Sequence, residues 1–211
     1  MEHNVVNFKN IGFLSVQFTD DQLKPVKEEI EKIRSNFELA KEANHKLAGH
    51  INHEYDLIES LPHLEKLFSP LIDIYDFHFD YTKEFSMLSK DVPIYLDSAW
   101  VNFQQKHEFN PPHNHSGIFS FALWINIPYS YDNERKVFPK VGSKTINSTG
   151  SFTFQYTNAL GRIGTYTINL DTTSQNCAVF FPAEMVHEVS PFYTSDEYRI
   201  SVSGNFKFKT A

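Results

Sequence analysis

The spacing of hydrophobic positions along the chain changes near residue 95. Upstream, Val26, Ile30, Ile33 and Phe37 recur at spacings of four, three and four with Glu and Lys between them, which predicts a helix with one apolar face. Leu61, Leu64, Leu67, Phe68, Leu71, Ile72 and Tyr75 repeat the pattern, with Ser60 placed to cap the first turn, Pro62 inside it and Pro70 expected to kink or split the segment. Downstream the period is two. Ala99–Gln105, Ile118–Ile127, Ser151–Thr157, Thr165–Leu170, Ala178–Phe181 and Arg199–Phe208 read as strands. Ile118–Ile127 is apolar on both faces, as a central strand should be. Asn158-Ala-Leu-Gly161 and Gly164 punctuate two strands as a hairpin loop would, and the Lys-rich stretch Tyr129–Gly150, with Pro139 and Gly142, reads as a loop or lid.

Helices first and strands after predict an α+β chain, mainly β. It is read as one domain over residues 1–211, mostly helical over 1–94, with a sandwich or barrel over 95–208 and the helices on its outside. Aromatic residues make up 15%, including twenty Phe and ten Tyr, which suits strands and a wide core. A net charge of -7 without a long basic run disfavours non-specific nucleic-acid binding. Cys177 stands alone, so no internal disulfide forms, and it reads as packing. The N-terminus lacks the basic-then-apolar pattern of a signal peptide, and Ile118–Pro128 is too short to span a bilayer, so the expected setting is the cytoplasm.

Candidate chemistry lies in the histidines. Of the ten, His3, His45, His50, His53, His63 and His78 share no ligand-type spacing and are expected on the surface or locally satisfied. Asn110-Pro-Pro-His-Asn-His-Ser-Gly117 is different. It places His113 and His115 two apart before a strong strand, so an extended backbone would project both imidazoles to one side. His187 follows the apolar strand and Pro turn of Ala178–Pro182 and would complete a three-point site if it faced the same interior. In Arg199-Ile-Ser-Val-Ser203, Arg199 and Ser201 share one face; an inward Arg needs an anion, whereas an outward one would pair with Asp196 or Glu197.

Together these segments resemble the Fe(II)- and 2-oxoglutarate-dependent oxygenases, and more narrowly a subgroup common in marine bacteriophages and bacteria. The matching residues are Ala99-Trp-Val-Asn102, Pro112-His-Asn-His-Ser-Gly-Ile118, Phe181-Pro182 with His187 and Pro191, and Arg199–Ser203 with Asn205. The resemblance implies a double-stranded β-helix, a cupin-like jelly roll with N-terminal helices on one sheet. It implies Fe(II) as cofactor and 2-oxoglutarate as cosubstrate, with O₂ and an unidentified substrate as partners. Carried over, His113 and His187 would be iron ligands, Arg199 with Ser201 would clamp the distal carboxylate of 2-oxoglutarate, and Asn102 would touch the cosubstrate.

The usual ligand triad is His-x-Asp/Glu…His, and its carboxylate position is occupied here by His115. Three readings follow: His115 is itself a ligand, only two His bind, or Glu188 or Glu108 reaches in. The first is favoured, since Glu188 should face away from His187 on a strand. Trp100, Phe119, Phe121, Trp124 and Phe154 are candidates to shield the site, about half of them being core. Two rivals use the same scaffold: a cupin-like metal protein without 2-oxoglutarate, in which Arg199 has no role, and a non-catalytic, virion-associated jelly-roll module. Lys136, Lys140 and Lys144 are candidates to steer an acidic substrate.

Overall fold

The computed structural model describes residues 2–5, 10–85, 92–138 and 148–209. Among them, ten strands form two antiparallel sheets. The larger sheet contains β1 (Leu14–Gln17), β2 (Glu54–Asp56), β3 (Ile94–Gln104), β5 (Phe119–Asn126), β8 (Cys177–Pro182) and β10 (Arg199–Phe208), in the order β1-β8-β5-β10-β3-β2. The smaller sheet contains β4 (Asn110–His113), β6 (Ser151–Thr157), β7 (Ile163–Asn169) and β9 (His187–Val189), in the order β4-β9-β6-β7. From β3 to β10 the chain passes from one sheet to the other at every step except the β6–β7 hairpin, as a jelly roll requires, which is the expected double-stranded β-helix.

Alternation along each strand of the large sheet sorts its side chains between two cores. Phe119, Phe121, Leu123, Phe180, Val202, Phe206, Val101 and Phe103 face the helices; Ala122, Trp124, Val179 and Phe181 face the small sheet. β5 is therefore covered on both faces, as its unbroken apolar pattern predicts. The helical layer is α1 (Asp20–Ser35), α2 (Leu61–Phe68) and α3 (Pro70–Phe79). Thr19 and Gln22 cap α1 reciprocally, and its stripe Leu23, Val26, Ile30 and Ile33 is buried. Phe68 of α2 stacks on Phe121 with centroids 3.8 Å apart, and Tyr75 of α3 meets Phe119 edge-on at 5.2 Å.

Some expectations change. Pro70 splits the second helical segment into α2 and α3, as anticipated, but Ser60 makes no side-chain cap; its N–H and hydroxyl both donate to the buried Glu29 carboxylate. The stretch 129–150 holds a short helix, α4 (Tyr131–Lys136), rather than only loop. Glu134 on α4 is fully buried because its carboxylate accepts from Tyr193 N–H, Thr194 N–H and the Thr194 hydroxyl. Lys140 and Lys144 lie outside the described residues. Strands β1, β2, β4 and β9 went unpredicted because three or four residues carry almost no period, and β1 and β2 bring the N-terminal part into the large sheet. No helix among the described residues is long and apolar enough to cross a membrane.

Candidate metal and cosubstrate site

Three strands and one loop converge between the sheets. His113 ends β4 and His187 begins β9, and the two are direct cross-strand partners. His115 lies beyond β4 in the loop leading to β5. One nitrogen from each of the three imidazoles falls within 4.8 Å of the others, with Nε2 of His113 and His115 only 3.3 Å apart. Among the described residues this is the one group of three or more potential metal-ligating side chains.

The hydrogen bonds behind the rings fix their protonation. His113 Nδ1 lies 2.7 Å from the Pro111 carbonyl and His187 Nδ1 3.0 Å from the Met185 carbonyl. Carbonyls only accept, so both Nδ1 atoms carry the proton. His115 Nδ1 faces Asn205 Oδ1 at 2.9 Å, and the Ser120 hydroxyl donates to the same oxygen at 2.8 Å. The unprotonated Nε2 of each ring is therefore the atom left free to bind, with those of His113 and His115 in contact. Such an array repels itself unless a cation sits at its centre; nitrogens bound at right angles, about 2.1 Å from a metal, stand about 3 Å apart. Burial lowers the pKa of all three: His115 falls to about 4, its charged form opposed also by His113, and His187 falls well below its ordinary value. Neutral, preorganised donors result, which fit a divalent metal. The candidate carboxylates are elsewhere. Glu108 accepts from Asn52 and from Gln105 N–H, and Glu188 opposes Thr153 in the sheet.

A narrow cavity of about 30 Å³ runs from the three His to Arg199, lined by Asn102, Gln104, Trp124, Ser201 and Ser203 along the way. Arg199 is 1% exposed. Its guanidinium donates to Gln104 Oε1 (3.1 and 2.7 Å), to the Tyr129 hydroxyl (2.7 Å) and to the Ser190 carbonyl (2.8 Å), and it lies against the Phe192 ring. Every one of those partners is neutral. The outward alternative fails because Asp196 pairs with Lys106 and Glu197 with Arg34. No carboxylate among the described residues pairs with it, and an unpaired buried cation costs several kcal/mol, so the arrangement suits an anion. Ser201 lies opposite Asn102 in the β10–β3 register and accepts from its amide at 3.3 Å, which leaves Asn102 Oδ1 buried without a partner.

All six candidate residues thus line one cavity. Of the aromatic candidates, Trp100 and Trp124 line it, whereas Phe119 and Phe121 face the helices and Phe154 packs near His187. Sequence reading missed Gln104 and Tyr129. Gln104 was within reach, since it shares the face of Asn102 two residues away and pairs with Arg199; Tyr129 arrives through a loop, which no period reveals.

Comparison with known proteins bears on this geometry. The profile of a family described as "Putative 2OG-Fe(II) oxygenase" matches residues 98–205, just over half of the chain. No curated protein sequence matches. A prolyl-4-hydroxylase from Pseudomonas putida superposes with a TM-score of 0.56 at 13% identity, covering 95% of this chain and 94% of that one. The viral collagen prolyl hydroxylase of Paramecium Bursaria Chlorella virus-1, solved as its 2OG complex, gives 0.52 at 8%, covering 92% and 94%. The non-heme α-ketoglutarate-dependent epimerase SnoN of nogalamycin biosynthesis gives 0.53 at 13%, covering 95% and 80%. At these identities the structural likeness is one of fold.

Proposed function

Because the chain belongs to the 2OG-Fe(II) oxygenase family, whose cofactors are Fe(II) and 2-oxoglutarate, we propose that it hydroxylates a substrate C–H bond at the His113, His115 and His187 cluster, within a single domain. The observation that carries this reading is the pairing of three converging neutral imidazoles with a buried, anion-free guanidinium in one narrow cavity. When bound, the metal with 2-oxoglutarate and O₂ supplies the oxidation, and 2-oxoglutarate leaves as succinate and CO₂.

The chain's own residues bind, orient and exclude water. His113, His115 and His187 hold Fe(II) through Nε2, each ring locked from behind by its Nδ1–H. Arg199 receives the distal carboxylate of 2-oxoglutarate, with Ser201 and the Tyr129 hydroxyl beside it. Gln104 orients the guanidinium through two of its N–H groups without neutralising it. Asn102 contributes its unpartnered oxygen to the middle of the cavity, where the cosubstrate passes. With three neutral ligands the site would keep the full dication charge, one unit more than a carboxylate-bearing triad leaves, so together with Arg199 it would attract a dicarboxylate more strongly. Trp124 and Phe152 wall off solvent.

The test is anaerobic calorimetric titration of 2-oxoglutarate into Fe(II)-loaded protein, beside the metal-free form and Arg199→Ala. Binding should require the metal and weaken by at least roughly 2 kcal/mol in the variant, the scale of a broken charge-assisted pair. Unchanged affinity in Arg199→Ala would remove the cosubstrate assignment and leave a cupin-like metal protein.

A further inference from the structure

A second cavity of about 150 Å³ opens on the other side of His113 and His115, away from Arg199. It shares Trp100, Asn110 and the two His with the inner cavity and adds the polar Lys46, Asn114, Ser116 and Asn205 and the apolar Leu47 and Ala48. On the reading of the site given above, it is where a substrate bond comes within reach of the metal.

Its chemistry is distinctive. Among the described residues no carboxylate lines it, and Lys46, the one formally charged side chain lining it, already gives its ammonium to Asp56 at 2.5 Å. The side chains of Asn110, Asn114 and Ser116 have no hydrogen-bond partner among the described residues, and Asn205 uses its Oδ1 on His115 and Ser120 while its amide nitrogen stays free. Asn114 and Ser116 are exposed and Asn110 and Asn205 half-buried, so an apolar guest would displace the water these groups otherwise bond, a cost that contact with Leu47 and Ala48 offsets only in part. A carboxylate would leave the acceptor half of each carboxamide unused, and Lys46 is already paired. A carboxamide is answered fully only by a group that both donates and accepts, and a second amide does so at two points with matching planar geometry.

We propose that this outer cavity is the substrate subsite and that it takes a neutral amide-bearing group, seated against Trp100 and read by Asn110, Asn114, Ser116 and Asn205. The two tryptophans give separate reporters, since Trp100 lines both cavities and Trp124 only the inner one. Protein labelled with 5-fluorotryptophan and loaded with Zn(II) is titrated by fluorine NMR, the signals being assigned with Trp100→Phe and Trp124→Phe. The probes are N-acetylglycinamide, methyl glucoside, acetate and cyclopentanol, followed by 2-oxoglutarate. N-acetylglycinamide should shift Trp100 at about tenfold lower concentration than the other three, the scale of one lost hydrogen-bonding group, with Trp124 unmoved. Asn114→Ala should remove most of that advantage. Acetate, glucoside or cyclopentanol binding as well, or Trp124 moving with Trp100, overturns the amide subsite. 2-Oxoglutarate should move Trp124; if it does not, the cosubstrate reading fails, while the ranking of the four probes still decides the subsite.

Discussion

Glu54 shows how a single residue near the site sets a pH dependence. It is 1% exposed on β2, directly opposite Asn102, and one carboxylate oxygen has no hydrogen-bond partner. Burial first, and the Glu108 charge second, push its pKa up to about 7. In an unfolded chain the same group ionises near the ordinary value of 4.5. Between those values the folded state keeps a proton that the unfolded state has lost, so this group's contribution to stability falls as pH rises through the window. The buried imidazoles act in the opposite sense. Their lowered pKa values mean that the unfolded, metal-free chain takes up protons first below about 6.5, and stability is lost towards acid. Glu54→Gln separates the two. Relative to wild type, the variant should gain up to roughly 3 kcal/mol between pH 5 and pH 8, the upper bound for a shift of that size. Urea unfolding of both proteins at the two pH values measures it, and a difference that ignores pH would refute the assignment. None of this was legible in the sequence, because burial of Glu54 depends on its carboxylate packing against Gly49, where a side chain would meet it at 2.9 Å. The three His and Arg199 were legible, because each sits beside an apolar strand whose alternation dictates its face.

At the level of elements, β10 carries the most. It pairs β3 on one side and β5 on the other, presenting Arg199, Ser201 and Ser203 to the site and Ile200, Val202 and Phe206 to the helices. Gly204 lets it pass close to its neighbours: a Cβ there would stand 2.6 Å from the Phe121 ring and 2.8 Å from the Ser98 carbonyl. Phe121 is held by Phe68 and the carbonyl is backbone, so neither yields cheaply. Gly204→Ala should cost about 2 to 3 kcal/mol in urea unfolding, as overpacking does, and a neutral result would mean the strand has slack. Glu134→Gln tests the wall over Arg199. That carboxylate holds Tyr193 and Thr194, next to Phe192, which stacks on Tyr129 and covers the guanidinium. The variant should fold and weaken 2-oxoglutarate binding about tenfold by loosening that cover; equal affinity by calorimetry would make Glu134 purely a fold residue. Long strands and helices were readable from period alone. β4 was not, since Pro111 and Pro112 read as an approach to a strand; they are tolerated inside it because β4 is an edge of the small sheet.

In the whole molecule the proposed ligands fasten one sheet to the other. His113 and His187 belong to the small sheet, while Arg199, Asn102 and Gln104 belong to the large one, and His115 is tied to the large sheet through Asn205 on β10. A metal held by the three His therefore links the sheets at one end of the cavity, and 2-oxoglutarate between metal and Arg199 links them along its length. Binding to the folded state alone stabilises by about 2.7 kcal/mol at a ligand concentration one hundred times the Kd. The order of additions matters. Fe(II) under anaerobic conditions should raise the Tm by itself, 2-oxoglutarate should add to it only once the metal is present, and a chelator should reverse both. His187→Ala should respond to neither addition. Hydrogen exchange should slow most in β4 and β9, short strands that carry two of the His and hold few partners of their own. A full Tm increment from 2-oxoglutarate without metal would place its binding energy entirely at Arg199. The bridging role would then fall, and the small sheet would owe its order to the apolar core it shares with the large one, around Phe152, Phe154 and Phe181.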